Sequence, residues 1–107
     1  MANVSNTMTA LADPTRRQVY ELLGRGERSV GEIAATLPVS RPAVSQHLKT
    51  LKDAGLVRDR AAGTRRIYMI DPAGLGPLRA WLDRFWDEAL ASYAAQVNAT
   101  DDGDKRQ

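Results

Sequence analysis

The segment from Ser40 to Leu51 gathers side chains that can hydrogen-bond or carry positive charge on one face of a predicted helix. Ser40 is a favourable N-cap, and Pro42 falls in the first turn, where a missing N–H costs little. At about 100° per residue, one side of this helix is short-chained, polar and partly cationic. The residues on that side are Pro42, Ser45, Gln46, Lys49 and Asp53, with Arg41 at its edge.

Catalytic and metal-binding residue types are scarce in this chain. There is no cysteine, and the single histidine, His47, lies beside the apolar stripe of the same helix. A packed or hydrogen-bonded structural role for His47 is therefore favoured over metal ligation. No Gly-rich phosphate loop and no Ser/His/Asp order is present, so we predict neither an enzyme nor a cofactor.

A hard-cation site on the last helix is the other metal hypothesis. Asp83 and Asp87 share a helix face, with Glu88 next to them, and carboxylate oxygens suit such ions. A solvated acidic face explains the same residues more simply. We therefore predict no metal site.

Length and hydropathy indicate one globular domain. The chain has 107 residues, of which 43% are hydrophobic and 26% are charged. No apolar run approaches the roughly 18 residues that a membrane helix needs, and no signal pattern opens the chain. We therefore expect a cytoplasmic protein with no membrane partner.

Positive charge is concentrated in the middle of the chain. Residues 40–70 carry seven basic and two acidic side chains, whereas residues 71–107 carry four basic and seven acidic ones. A cationic segment between neutral and acidic ones suggests a face for a polyanion. A solvated charge run is the alternative explanation of the same pattern.

Caps and apolar spacing predict five helices in a mainly α-helical domain over residues 1–100. A short first helix covers 8–12, and the Asp13-Pro14 start signal opens a second over 14–24. A capping box formed by Ser29 and Glu32 opens a helix-turn-helix over 29–54. Val44, Leu48 and Leu51 form its buried stripe, and Gly55 provides a left-handed cap.

Alternating residues around a Gly63 turn predict a small β-hairpin over 57–70, which would form a wing. From Asp71-Pro72 onward a long last helix is predicted over 72–97, although two glycines and a proline near its start could delay it. The polar tail 101–107 is predicted to be disordered.

Two tandem helices followed by a hairpin are the order of a winged helix-turn-helix. A helix fits the major groove of B-DNA, where side chains of the Ser40 helix would meet base edges and phosphates. Arginines of the hairpin would reach the flanking backbone or minor groove. The predicted DNA-binding residues are Ser40, Arg41, Pro42, Ser45, Gln46, Lys49, Arg60, Arg65 and Arg66.

Two alternatives to DNA binding remain at this level. One is a helix pair in an ordinary bundle with a basic surface. The other is a winged-helix module that binds protein through the hairpin or the last helix. The positive charge concentrated in residues 40–70 favours a polyanion over a protein groove.

Four motifs in order resemble the ArsR family of bacterial winged-helix repressors. They are Ala10-Leu-Ala-Asp-Pro-Thr-Arg-Arg17, Ser40-x-x-x-x-Ser45-x-His47-Leu48, Ala54-Gly-Leu-Val57 and Gly63-Thr-Arg-Arg-x-Tyr68. The resemblance covers about residues 8–95. It implies a homodimeric transcriptional regulator with the Ser40 helix as recognition helix, Arg60 to Arg66 as wing, and the first and last helices as dimer interface.

The chain departs from the metal-sensing members of that family. Their cysteine pair would fall near Ser29 and Gly31, neither of which can supply a thiolate. The last helix also lacks the histidine ligands that other members carry there. We therefore expect a regulator that is not a thiolate metal sensor.

Aromatic and aliphatic residues of the last helix form a wide stripe with two interpretations. In the first, a two-fold dimer buries the stripe against its own copy. The residues assigned to that interface are Leu78, Leu82, Phe85, Ala89 and Tyr93. In the second, Trp81, Phe85, Trp86 and Tyr93 partly line a cavity for an apolar small-molecule effector. The overall hypothesis is a homodimeric repressor on an inverted-repeat operator.

Overall fold

The computed structural model describes residues 3–105, and only the backbone from residue 100 onward. In chain order the elements are α1 (Val4–Ala12), α2 (Pro14–Leu23), β1 (Arg28–Ser29), α3 (Val30–Thr36), α4 (Arg41–Asp53), β2 (Val57–Ala62), β3 (Arg65–Ile70) and α5 (Gly76–Lys105). The strands form one antiparallel sheet in the order β1-β3-β2. Among the described residues, five helices and this small sheet make a winged helix-turn-helix, as predicted.

The buried stripe of α4 lies at the centre of the core. Val44, Leu48 and Leu51 have no exposed surface, which confirms the predicted inward face. Side chains from α2, α3 and the α4–β2 turn complete the cluster; they are Val19, Leu22, Leu23, Ile33 and Leu56. Burial of each such side chain contributes about 1.5–3 kcal/mol. This packing determines which face of α4 points to solvent.

Both helices of the helix-turn-helix begin at the predicted caps. The Ser29 hydroxyl accepts from the Glu32 N–H at 3.2 Å, and the Glu32 carboxylate accepts from the Ser29 N–H at 2.9 Å. At α4 the Ser40 hydroxyl accepts from the Ala43 N–H at 3.3 Å. These side chains satisfy N–H groups that have no partner within their helices.

Gly55 ends α4 in the left-handed conformation, with φ of 78°. The Leu56 N–H donates to the Leu51 carbonyl at 2.9 Å, and the Gly55 N–H donates to the Lys52 carbonyl at 2.9 Å. This pair of hydrogen bonds defines a Schellman motif. The turn directs Leu56 back into the core and starts β2 beside the end of α4.

At the α1–α2 junction, the two arginines of the first motif have a structural role. Asp13 caps α2 by accepting from the Arg16 N–H at 3.0 Å. Arg16 and Arg17 then donate back to the end of α1, to the carbonyls of Ala10 at 2.6 Å and Leu11 at 2.7 Å. Two of the carbonyls left free at the end of α1 are thereby satisfied.

The predicted start of α1 at residue 8 was wrong. The helix begins at Val4, where the Asn3 side chain accepts from the Asn6 N–H at 2.8 Å. Asparagine is a strong N-cap, but the weakly apolar sequence after it gave no helical periodicity. Thr7, in this earlier part of α1, is fully buried.

The sheet has one strand more than the predicted hairpin. β2 and β3 pair around Gly63, whose φ is 65°, as the hairpin prediction required. β1 is only two residues long and pairs Arg28 with Tyr68 and Ser29 with Ile67. Two residues cannot show an alternating pattern, so sequence periodicity missed this strand. β1 joins the start of α3 directly to the wing.

The last helix differs from its predicted span at both ends. Residues 72–75 form turns, so α5 starts at Gly76 rather than 72. It continues beyond 97 to Lys105, and the prediction of disorder was therefore wrong for residues 101–105; residues 106 and 107 lie outside the described residues. Side chains from 79 to 96 are all exposed in the single chain.

Gly74, in the connection between β3 and α5, packs closely on the turn between α4 and β2. A Cβ at Gly74 would lie 2.5 Å from the Gly55 carbonyl oxygen and 2.9 Å from the Leu56 Cα, whereas a Cβ at Gly76 meets nothing within 4 Å. Gly74→Ala should lower the free energy of unfolding by about 1–3 kcal/mol, since backbone must shift. Gly76→Ala, the matched control, should be neutral or stabilising by up to about 1 kcal/mol.

Urea unfolding at a single protein concentration measures both variants, because oligomerisation makes apparent stability concentration-dependent. Equal midpoints for the two variants would contradict the close packing of Gly74 on the α4–β2 turn.

Candidate nucleic-acid interface

The outer face of α4 is open to solvent along its whole length. The six α4-side residues predicted to bind DNA are all exposed, namely Ser40, Arg41, Pro42, Ser45, Gln46 and Lys49. Pro42, Ser45, Gln46 and Lys49 lie on the side of the helix away from the buried stripe. Arg41 lies at the edge of that side, and Ser40 caps the helix. The structure therefore places six of the nine predicted residues on the exposed side and N-terminus of α4.

The wing places Arg60, Arg65 and Arg66 around the β2–β3 turn, and all three are exposed. Each one also forms an ion pair with a carboxylate of its own chain. Arg65 lies 3.6 Å from Glu32, Arg66 lies 3.0 Å from Asp59, and Arg60 pairs with Glu27. Glu27 and Glu32 lie outside residues 40–70, so the segment's net charge overstates the free positive charge of this surface.

Arg41 connects the recognition helix candidate to α3. A Cβ on Gly31 would lie 3.1 Å from an Arg41 guanidinium nitrogen, so that group rests on the first turn of α3. Arg41 also borders a cleft of about 490 Å³ between this turn and the wing, where Arg65 and Arg66 face it. Glu32 is the acidic residue of the cleft. Its pKa is lowered, first by the backbone and side-chain hydrogen bonds with Ser29 and then by the charge of Arg65.

Asp59 on β2 was missed by the sequence analysis, as was Lys52 on α4. The Asp59 side chain is only 8% exposed and lies between Lys52, at 2.8 Å, and Arg66, at 3.0 Å. Its pKa is lowered, chiefly by the hydrogen bond from Lys52 and also by that from Arg66. Asp59 is one of two acids among seven basic residues in the segment 40–70, and this was the available signal in the sequence.

His47 lies half-buried on the flank of α4, and its Nδ1 is buried without a hydrogen-bond partner among the described residues. This placement agrees with the packed role predicted for it. No group of three or more His, Cys, Asp or Glu side chains among the described residues is arranged to hold a metal ion. In the same part of the chain, every helix is too short or too polar to cross a bilayer.

The predicted dimer residues form an exposed face on α5. Leu82, Phe85 and Tyr93 expose 47%, 53% and 66% of their surface. Ala89 is exposed as well, and Leu78 is half-buried near the body of the domain. Trp81 stacks on Phe85 with ring centroids 5.5 Å apart and planes 7° from parallel. A large apolar face of this kind is typical of an interaction site.

Known proteins resemble both the sequence and this geometry. A family model described as a helix-turn-helix domain matches residues 11–60. The HTH-type transcriptional regulator Rv2034 of Mycobacterium tuberculosis is 60% identical over 93 residues, which cover 87% of this chain and 87% of that protein. The transcriptional repressor SdpR of Bacillus subtilis is 33% identical over 77% of this chain and 91% of that protein.

Solved structures with the same fold include the ArsR-like transcriptional regulator from Rhodococcus sp. RHA1. It matches with a TM-score of 0.73 and 34% identity, over 84% of this chain and 88% of that one. The chain belongs to the ArsR family of winged helix-turn-helix regulators. Another neighbour is the homodimeric winged helix-turn-helix DNA-binding domain of Mb0332 from Mycobacterium bovis, described as a possible ArsR-family transcriptional regulator. Its TM-score is 0.65 at 37% identity, over 81% of both chains.

Membership confirms the resemblance carried by the four sequence motifs. This ArsR-family protein is a DNA-binding transcriptional regulator, and the prediction that it is not an enzyme agrees with its relatives. In this structure α3 and α4 are consecutive helices joined by a short turn, and β2 and β3 form the hairpin that follows them.

Proposed function

We propose that this ArsR-family protein is a homodimeric repressor that binds an inverted-repeat operator through α4. The observation that carries the proposal is the geometry of α4, whose fully buried stripe turns its polar, cationic face to solvent. Two copies placed about one DNA turn apart, ~34 Å, would enter successive major grooves. Occupancy near a promoter would then exclude polymerase. The names of relatives such as the repressor SdpR support the sign of regulation.

Base reading is assigned to the middle of α4. Gln46 can bind an adenine edge with two hydrogen bonds, and Ser45 can donate to or accept from several bases. Arg41 and Lys49, with longer charged side chains, reach phosphates beside the groove. Ser40 and Pro42 lie where the helix enters, and the Ser40 hydroxyl supports a phosphate there.

We assign to the wing the contacts that increase affinity for DNA of any sequence. Arg60, Arg65 and Arg66 keep 51%, 60% and 55% of their side-chain surface exposed while paired with acids. The pairs of Arg60 with Glu27 and of Arg65 with Glu32 are exposed on both sides and contribute about 0–1 kcal/mol each, so phosphates can replace these two carboxylates at little cost. Binding would therefore exchange these two internal ion pairs for contacts to the DNA backbone, whereas Arg66 keeps its pair with the largely buried Asp59.

Dimerisation is assigned to the exposed face of α5. Leu78, Leu82, Phe85, Ala89 and Tyr93 recur at helical spacing, so the face of one copy can pack on that of another across a two-fold axis. α1 packs on α5 within the chain and would border the same interface. A homodimeric winged helix-turn-helix neighbour supports this arrangement.

Release from DNA would not use a thiolate metal site, because the chain has no cysteine and carries Ser29 and Gly31 where such ligands would stand. A second candidate is gating by an apolar small molecule at the α5 interface. The stacked and exposed Trp81–Phe85 pair is the observation that favours it. The relatives are transcriptional regulators and give no support to a winged-helix module that binds only protein.

DNA reading through α4 predicts two separable classes of variant. Gln46→Ala or Ser45→Ala should change the relative affinities for operator and mismatched duplexes, with about 1–3 kcal/mol lost at the contacted base pair. Arg65→Ala should weaken all duplexes alike and reduce the slope of log K against log salt by about 1. Fluorescence anisotropy with labelled duplexes, selected from genomic DNA or scrambled, measures both. Binding that does not change with salt would contradict the proposal.

The α5 interface predicts a monomer when a charge is placed on the apolar face. Phe85→Glu should halve the molar mass in light scattering and weaken operator binding at least about tenfold, since both half-sites are no longer bound together. Ala80→Glu adds the same charge on the opposite side of α5 and should remain dimeric. A monomeric unmodified protein, or a dimeric Phe85→Glu variant, would show that this face is not the interface.

A further inference from the structure

Asp59 stands out among the groups near the proposed DNA-binding surface. Residues 40–70 contain two acids, Asp53 and Asp59, and both would face a polyanion at a cost. Asp53 is 66% exposed and pairs with Lys49, four residues earlier on the same helix. Asp59 is 8% exposed and pairs with cationic side chains from two different elements, Lys52 of α4 and Arg66 of β3. The two acids therefore carry the same charge but differ in exposure and in the elements that supply their cationic partners.

The contacts of Asp59 join three elements. Its Oδ1 lies 2.8 Å from the Lys52 ammonium, in the last turn of α4. Its Oδ2 accepts a hydrogen bond from a terminal guanidinium nitrogen of Arg66, on β3, at 3.0 Å. Asp59 itself is on β2, opposite Tyr68 in the sheet register. One carboxylate thereby joins the end of α4 to both strands of the wing, β2 and β3.

Both cations remain available to a second anion. Lys52 keeps 53% and Arg66 keeps 55% of its side-chain surface exposed. An ammonium has three donors and a guanidinium has five, so one bond to Asp59 leaves donors free on each. Holding two long side chains in place before DNA arrives also removes rotamer freedom that binding would otherwise have to remove.

We propose that Asp59 is a positioning residue for DNA binding, which orients Lys52 and Arg66 towards backbone phosphates beside the groove that α4 enters. The proposal rests on the DNA-binding mode proposed above and adds two residues to it. It also fixes the sign of a substitution. If only net charge mattered, removing an acid near DNA would strengthen binding. If Asp59 positions the two cations, removing it weakens binding.

Asp59→Asn and Asp53→Asn form a matched pair, because each removes one negative charge next to a lysine of α4. We expect Asp59→Asn to weaken binding to a labelled, genomically selected duplex by about tenfold and to reduce the slope of log K against log salt by about 2, as two ordered phosphate contacts are lost. Asp53→Asn should bind as tightly as the unmodified protein or more tightly. A residue with a purely structural role would not change the salt slope of the folded fraction.

Arg66→Ala, introduced into the unmodified protein and into the Asp59→Asn variant, tests whether Asp59 acts on DNA binding through Arg66. It should weaken binding in the unmodified protein and add little in Asp59→Asn, because Arg66 is then already misplaced. Should Asp59→Asn fail to fold by circular dichroism, the cycle between Lys52→Gln and Arg66→Gln replaces it. Cations held by one carboxylate should show non-additive losses in that cycle.

If Asp59→Asn folds and binds as tightly as the unmodified protein, the positioning role of Asp59 is wrong. Additive losses in the Lys52/Arg66 cycle would contradict that role as well. Either result would leave the proposed function itself intact. Absence of salt-dependent duplex binding by the unmodified protein would overturn the proposed function and this inference together.

Discussion

Burial of Val44, Leu48 and Leu51 is the constraint on which the rest of the molecule depends. None of the three side chains has exposed surface, and the core clusters around them. Because a helix repeats every 3.6 residues, this burial leaves the polar side of α4 no orientation except outward. Removal of any one of them would leave a cavity costing about 2–5 kcal/mol, a large share of a small domain's stability.

Several short contacts then set the position of α4 relative to its neighbours. The capping box at Ser29 starts α3, the Schellman motif at Gly55 starts β2, and Gly74 packs on that same turn. β1 pairs with β3, so the wing is attached to both ends of the helix-turn-helix. The polar face of α4 and the arginines of the wing are thus parts of one framework rather than independent segments.

The electrostatics of this surface are more balanced than its net charge indicates. The wing arginines pair with acids from the loop before β1, from α3 and from β2. Such pairs keep long cationic side chains ordered and prevent strong self-repulsion in the free protein. In the proposed binding mode Arg60 and Arg65 exchange their carboxylates for phosphates, whereas Asp59 keeps Arg66 in place, so the geometry of each pair matters as well as its charge.

Local signals predicted most of this architecture from sequence. Caps at Asp13, Ser29 and Ser40 and the apolar stripe of α4 depend on residues within one or two turns, so the chain itself displays them. Features that depend on distant residues were missed, including the two-residue strand β1 and the Asp59 contacts to Lys52 and Arg66. The length of α5 was underestimated because a polar composition was taken as its end, although no proline follows Pro77.

Site-directed DNA cleavage from α4 tests the central claim most directly. The chain has no cysteine, so Gln46→Cys provides one attachment point for an iron chelate that cuts nearby DNA. On a genomically selected duplex, the account predicts two cleavage centres in the major groove, about one helical turn apart and related by two-fold symmetry. A single centre, or cleavage no stronger than from a chelate at Ala80→Cys on α5, would contradict it.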